Sequence, residues 1–163
     1  MERVGEWLAG NRPPESGAAL IHNDYKYDNV LLDANDLTKL VAVFDWEMTT
    51  IGDPLMDFGT SLAYWIEASD PEFAQALAFG PTHLPGSLTR RELVARYEER
   101  TGRRVEAVHF YYAYGLFKLA VIIQQIYARY VRGKTHDERF AKFDRTVAAL
   151  GEIALHVVQQ RTV

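Results

Sequence analysis

The chain has 163 residues, 48% of them hydrophobic, with 18 Lys and Arg against 22 Asp and Glu for a formal net charge of −4. That length and apolar content suffice for one domain with a core of its own, and the interleaved charges offer no basic stripe for a nucleic acid. The absence of cysteine excludes disulfides and thiolate zinc sites, and the charges at Glu2, Arg3 and Glu6 interrupt any N-terminal signal core, so a cytoplasmic address is the expectation.

In chain order, residues 1–17 read as a linker, because a short leading piece runs into the breaker-rich Asn11-Arg12-Pro13-Pro14-Glu15-Ser16-Gly17. Ala18 to Ile21, Val30 to Asp33 and Lys39 to Phe44 are short aliphatic and β-branched runs, with Ala34-Asn35-Asp36 as turn residues between the last two. Short strands with one hairpin are predicted there. From Pro54 onward the apolar spacing becomes helical. Leu55 to Glu67 follows a proline, and Glu72 to Phe79 follows Asp70-Pro71, a cap and a first-turn proline. Thr89-Arg90-Arg91-Glu92 has capping-box spacing and opens a helix ending near Gly102. A long helix is predicted from Val105 to Val131, and a last one from Asp137 to Gln160 with apolar residues at Phe140, Phe143, Val147, Leu150, Ala154 and Val158. Glu106, Lys118 and Arg129 break the long apolar segment, so it holds no uncharged run of ~18 residues and no membrane span is expected. The fold class is α+β and mostly helical: a short β-hairpin bearing a polar loop, followed by a helical bundle over residues 18–163.

The chemistry concentrates in His22-Asn23-Asp24-Tyr25-Lys26-Tyr27-Asp28-Asn29 and, after the hairpin, in Asp45-Trp46-Glu47. Asp24 and Asn29 flank a short loop that runs into an aliphatic strand, and Asp45 closes the next strand, so a hairpin brings the three together. Phosphoryl transfer requires a carboxylate to orient the acceptor hydroxyl and oxygen ligands to hold magnesium on the phosphates. Asp24, Asn29 and Asp45 offer that set.

This pattern, His22-x-Asp24-x-x-x-x-Asn29 followed by Asp45, resembles the catalytic loop and metal-binding Asp of protein kinases. The version is that of the aminoglycoside phosphotransferases and choline kinases, whose Gly-Asp-Pro-x-x-Asp segment is matched by Gly52-Asp53-Pro54-Leu55-Met56-Asp57. Asp-Trp-Glu followed by Gly-Asp-Pro-Leu also resembles the branch found beside acyl-CoA dehydrogenase domains. The resemblance implies a protein-kinase-like C-terminal catalytic lobe, ATP as phosphoryl donor, Mg2+ as cofactor and a hydroxylated small molecule as acceptor. It implies Asp24 as the catalytic carboxylate and Asn29 and Asp45 as magnesium ligands. Lys26 occupies the place of the catalytic-loop lysine, which neutralises charge on the transferring group. His22 is implied as a strut of the loop, and Asp57 as a buried carboxylate accepting hydrogen bonds from the loop backbone. Asn23 stands where choline-kinase-like members have asparagine and many aminoglycoside kinases glycine.

His83, His109, His136 and His156 lack metal-site spacing, and the aromatic cluster from Phe110 to Phe117 reads as core. A kinase of this type also places a glycine-rich loop, a strand lysine and a helix glutamate ahead of the catalytic loop. Here the residues before His22 contain Gly5, Gly10 and Gly17 but no lysine. The expectation is therefore a truncated lobe, inactive by itself, that self-associates through the surface so uncovered. Two rivals are a catalytically silent binding or oligomerisation module, and a metal-dependent hydrolase using Asp24, Asp45 and Asp57.

Overall fold

A computed structural model describes residues 1–75, 78 and 80–163. It begins with helix α1 (Glu2–Gly10), followed by strands β1 (Ala19–Ile21), β2 (Val30–Leu32), β3 (Leu40–Val43) and β4 (Thr50–Gly52). Helices α2 (Pro54–Tyr64), α3 (Glu72–Gln75), α4 (Arg90–Thr101), α5 (Val108–Val131) and α6 (Phe143–Gln160) complete the chain. The strands form two separate antiparallel pairs, β2 with β3 and β1 with β4.

The two pairs are nested. The β2–β3 hairpin, in register at Val30 with Val43, lies in sequence between β1 and β4, which pair Ala19 with Gly52 and Ile21 with Thr50. Its turn is built by side chains: Asp33 Oδ1 accepts from the N–H groups of Asn35 (2.8 Å) and Asp36 (3.2 Å), an Asx turn. Nesting forces the loop after β1 and the loop after β3 to the same end of the strands.

Asp53 caps α2, its carboxylate accepting from Leu55 N at 2.8 Å while Pro54 occupies the first turn. The same carboxylate accepts from the backbone N and the hydroxyl of Ser16, tying the N-terminal segment to this corner. Helix α5 packs most extensively on α6 and α2. It approaches α2 at two glycines: a Cβ on Gly59 would stand 2.2 Å from Tyr111 O, and one on Gly115 2.2 Å from Gly59 O. Around this crossing lie Leu62, Ala63, Ala113, Leu116 and Ala154, all essentially buried.

Several elements differ from their sequence expectation. The linker assigned to residues 1–17 contains α1, because Val4 and Leu8 recur on one helical face and both are buried against the bundle. Strand β4 was not expected, since three residues carry no visible alternation. Helix α2 stops at Tyr64 rather than Glu67: Arg90 binds the Trp65 carbonyl at 2.8 Å, and Trp65 Nε1 donates to Leu88 O at 2.7 Å. The predicted helix Glu72 to Phe79 is seen as α3 over Glu72–Gln75, and Ala76, Leu77 and Phe79 lie outside the described residues. Helix α5 starts at Val108, not Val105. Asp137 caps a 3-10 turn over Glu138–Lys142 before α6 begins at Phe143. The capping box of α4 has both of its reciprocal bonds, Glu92 N to Thr89 Oγ1 (3.2 Å) and Thr89 N to Glu92 Oε2 (2.8 Å). Among the described residues no helix is long and apolar enough to cross a membrane.

Candidate active site

The loop that leaves β1 is held from below by α2. Asp57, in the first turn of that helix, accepts from His22 N at 2.9 Å on Oδ2 and from Asn23 N at 2.7 Å on Oδ1. His22 is buried; its Nε2 donates to Phe44 O at 2.7 Å while Nδ1 accepts from Asp24 N at 3.2 Å. Together these bonds fix the ring tautomer and clamp the loop after β1 to the end of β3. Asn23 takes the left-handed conformation (φ 67°) that asparagine tolerates better than most residues. Lys118 from α5 donates to its backbone carbonyl and, at 3.2 Å, to its Oδ1. Burial lowers the pKa of Lys118, and the charges of Asp57 and Asp24 act against that shift.

These supports aim Asp24, which is only 8% exposed. Its Oδ2 accepts from Lys26 Nζ at 2.7 Å and from Asn29 Nδ2 at 3.0 Å, and its Oδ1 accepts from the Tyr64 hydroxyl. Burial, the largest single influence, raises the pKa of the carboxyl, but bonds from Lys26 and Tyr64, the charge on Lys26 and the Asn29 bond together hold it below the usual range. The Tyr64 hydroxyl is pushed far above its ordinary value by burial first and by Asp24 second. Lys26 also lies over the Tyr64 ring, 5.0 Å from its centroid.

Asn29 and Asp45 terminate facing strands. Phe44 N donates to Asn29 O at 2.8 Å, so Asp45 is the next residue along, left-handed at φ 61° and exposed to solvent. Asn29 donates through Nδ2 to Asp24 O (2.8 Å) and Oδ2, which leaves Oδ1 as its available ligand atom. A neutral amide oxygen and a carboxylate on neighbouring strand ends are hard oxygen donors of the kind that fits magnesium. Among the described residues no three His, Asp or Glu side chains converge as a metal cluster. Asp57 turns one oxygen to each of two backbone N–H groups of the loop and forms no cluster with Asp24 and Asp45 among the described residues, which argues against the hydrolase reading.

Thus Asp24, Lys26 and Asn29 are in direct contact, His22 and Asp57 brace the loop, and Asp45 stands beside Asn29 without touching Asp24. Two residues at this site escape a reading of the sequence, Tyr64 and Lys118. Tyr64 lies seven residues after Asp57, two turns along the same helix face, and that spacing was the one available signal. Lys118 was visible only as a charge inside an apolar helix. Alongside the site runs a largely apolar cleft of about 580 Å3, bordered by Tyr25, Lys26, Ser61, Tyr64, Trp65 and Tyr97.

A family model described as the phosphotransferase enzyme family matches residues 1–94. The chain belongs to that family. The fold agrees: a crystal structure of a Ralstonia eutropha protein, provisionally named an aminoglycoside phosphotransferase, superposes with a TM-score of 0.81 at 26% identity, covering 98% of this chain and 48% of that one. Among curated proteins, "Acyl-CoA dehydrogenase family member 11" of Gallus gallus is 31% identical over 96% of this chain and 21% of its own length. "Acyl-CoA dehydrogenase family member 10" of Mus musculus is 30% identical over 94% of this chain and 14% of its own length. The chain therefore spans about a fifth or less of these relatives and about half of the structural neighbour. Family membership and the shared fold support a kinase-like phosphotransfer role.

Proposed function

We propose that the chain is the catalytic lobe of a kinase that moves the γ-phosphoryl group of ATP to a hydroxyl of a small molecule. The observation that carries the reading is the built environment of Asp24: a buried carboxylate kept ionised by Lys26, Tyr64 and Asn29 on a loop braced by His22 and Asp57. Asp24 orients the acceptor hydroxyl and takes its proton as the acceptor oxygen bonds to the γ-phosphorus; the bond to the bridging oxygen breaks and ADP leaves. Lys26, with two N–H groups beyond the one given to Asp24, neutralises charge on the transferring group. Asn29 Oδ1 and Asp45 hold magnesium, which when bound neutralises and orients the phosphates. The cleft beside Lys26 and Tyr64 receives the acceptor. Its apolar walls favour a molecule that carries hydrocarbon as well as a hydroxyl.

The test is Asp24→Asn and Asp24→Ala in the complete protein, with ADP release followed over a panel of hydroxylated acceptors. Turnover is expected to fall more than about 100-fold while the KM for ATP barely changes. Turnover comparable to the parent removes Asp24 from the mechanism.

A further inference from the structure

Resting on that reading, we infer that Tyr64 is a positioning residue for the phosphoryl-transfer step: its hydroxyl fixes the Asp24 carboxylate so that one oxygen, Oδ1, receives the acceptor hydroxyl. An ionised carboxylate offers about four lone-pair directions, two on each oxygen. Lys26 Nζ and Asn29 Nδ2 fill both on Oδ2, at 2.7 and 3.0 Å. The Tyr64 hydroxyl takes one on Oδ1. A single direction remains, on Oδ1, next to the Tyr64 hydroxyl. The acceptor must donate there, so the angle between the Tyr64 bond and the free lone pair sets its line of approach.

Tyr64 is suited to that duty by its location. It closes α2 seven residues after Asp57, so the same helix that braces the loop backbone also reaches the tip of the catalytic side chain. The ring is 9% exposed and lies beneath Lys26, so its hydroxyl has little freedom to swing away. It also borders the apolar cleft that the acceptor enters. The competing account is a buried tyrosine that satisfies its hydroxyl on the nearest acceptor. That account makes no demand on the orientation of Asp24.

Tyr64→Phe separates the two, because it keeps the ring under Lys26 and removes the hydroxyl alone. The complete protein is assayed for MgATP hydrolysis, with water as the acceptor, in the parent, Tyr64→Phe, Asp24→Ala and the double variant. A crystal structure of Tyr64→Phe is solved in parallel, which reads the carboxylate without reference to turnover. Tyr64→Phe is expected to lower kcat roughly tenfold with an unchanged KM for ATP, and to add no further loss in the Asp24→Ala background, since it acts through that carboxylate. The crystal structure is expected to show the Asp24 carboxylate rotated away from its parent orientation. An unrotated carboxylate, an unchanged kcat, or an equal loss in both backgrounds each overturns the inference. If Asp24→Ala itself retains the parent rate, the proposed function fails instead, and the two failures are distinguishable.

Discussion

Asp57 accepts two bonds from the loop backbone, whereas Asp24 accepts three from side chains. Truncating Asp57 strands the N–H groups of His22 and Asn23, and an unsatisfied donor costs roughly 1–3 kcal/mol. Asp57→Ala is therefore expected to lower the midpoint of thermal unfolding clearly; equal midpoints for Asp57→Ala and the parent would contradict this. Asp45 differs again, being exposed and without a hydrogen bond among the described residues. Its backbone is left-handed, so Asp45→Asn is the informative change, because asparagine tolerates that conformation while removing the charge. The magnesium concentration for half-maximal activity should rise at least about tenfold, the size expected when one of two protein ligands loses its charge. An unaltered magnesium dependence places the metal elsewhere.

At the level of elements, the decisive contact is the crossing of α2 and α5. Gly59 and Gly115 let the two backbones meet, and an added methyl at Gly59 would collide with the Tyr111 carbonyl, an atom that cannot rotate aside. Gly59→Ala is expected to destabilise by about 1–3 kcal/mol through overpacking. Gly10→Ala serves as its control, since nothing lies within 4 Å of a Cβ there. Denaturant titration of both variants checks the comparison, and equal midpoints would mean that α2 and α5 separate without cost. The crossing also serves the site: α2 carries Asp57 and Tyr64, and α5 delivers Lys118 to Asn23.

For the molecule as a whole, the two strand pairs leave apolar side chains open to solvent, with Leu31, Leu40, Val41, Phe44 and Ile51 between 46% and 69% exposed. Patches of several hundred Å2 of this kind mark contact surfaces. The structural neighbour is about twice as long as this chain, and the residues before His22 hold no lysine to reach a phosphate. Residues 1–163 assayed alone are accordingly expected to bind MgATP weakly, because the γ-phosphate is not held within the ~3–3.5 Å that productive transfer requires. They are also expected to self-associate through the exposed apolar side chains of the strands. Isothermal titration and sedimentation velocity report on the two points; micromolar nucleotide affinity in a strictly monomeric sample would contradict both.

The sequence by itself determined the hairpin, the helical second half, the capping box at Thr89 and the polar set around Asp24, because each rests on local chemistry: turn residues, caps, apolar period and motif spacing. It did not reveal α1, whose apolar face is short and sits ahead of a breaker-rich segment, or β4, which exists through its partner β1. Nor did it reveal the early end of α2 at Tyr64, which is set by bonds from Arg90 and to Leu88 made across the fold. Tyr64 and Lys118 belong to the same class: each is an ordinary helix residue until α2 and α5 cross at their glycines and bring one against Asp24 and the other against Asn23. Contacts between residues 40 and 95 positions apart have no local signature. Only the tertiary packing decided them.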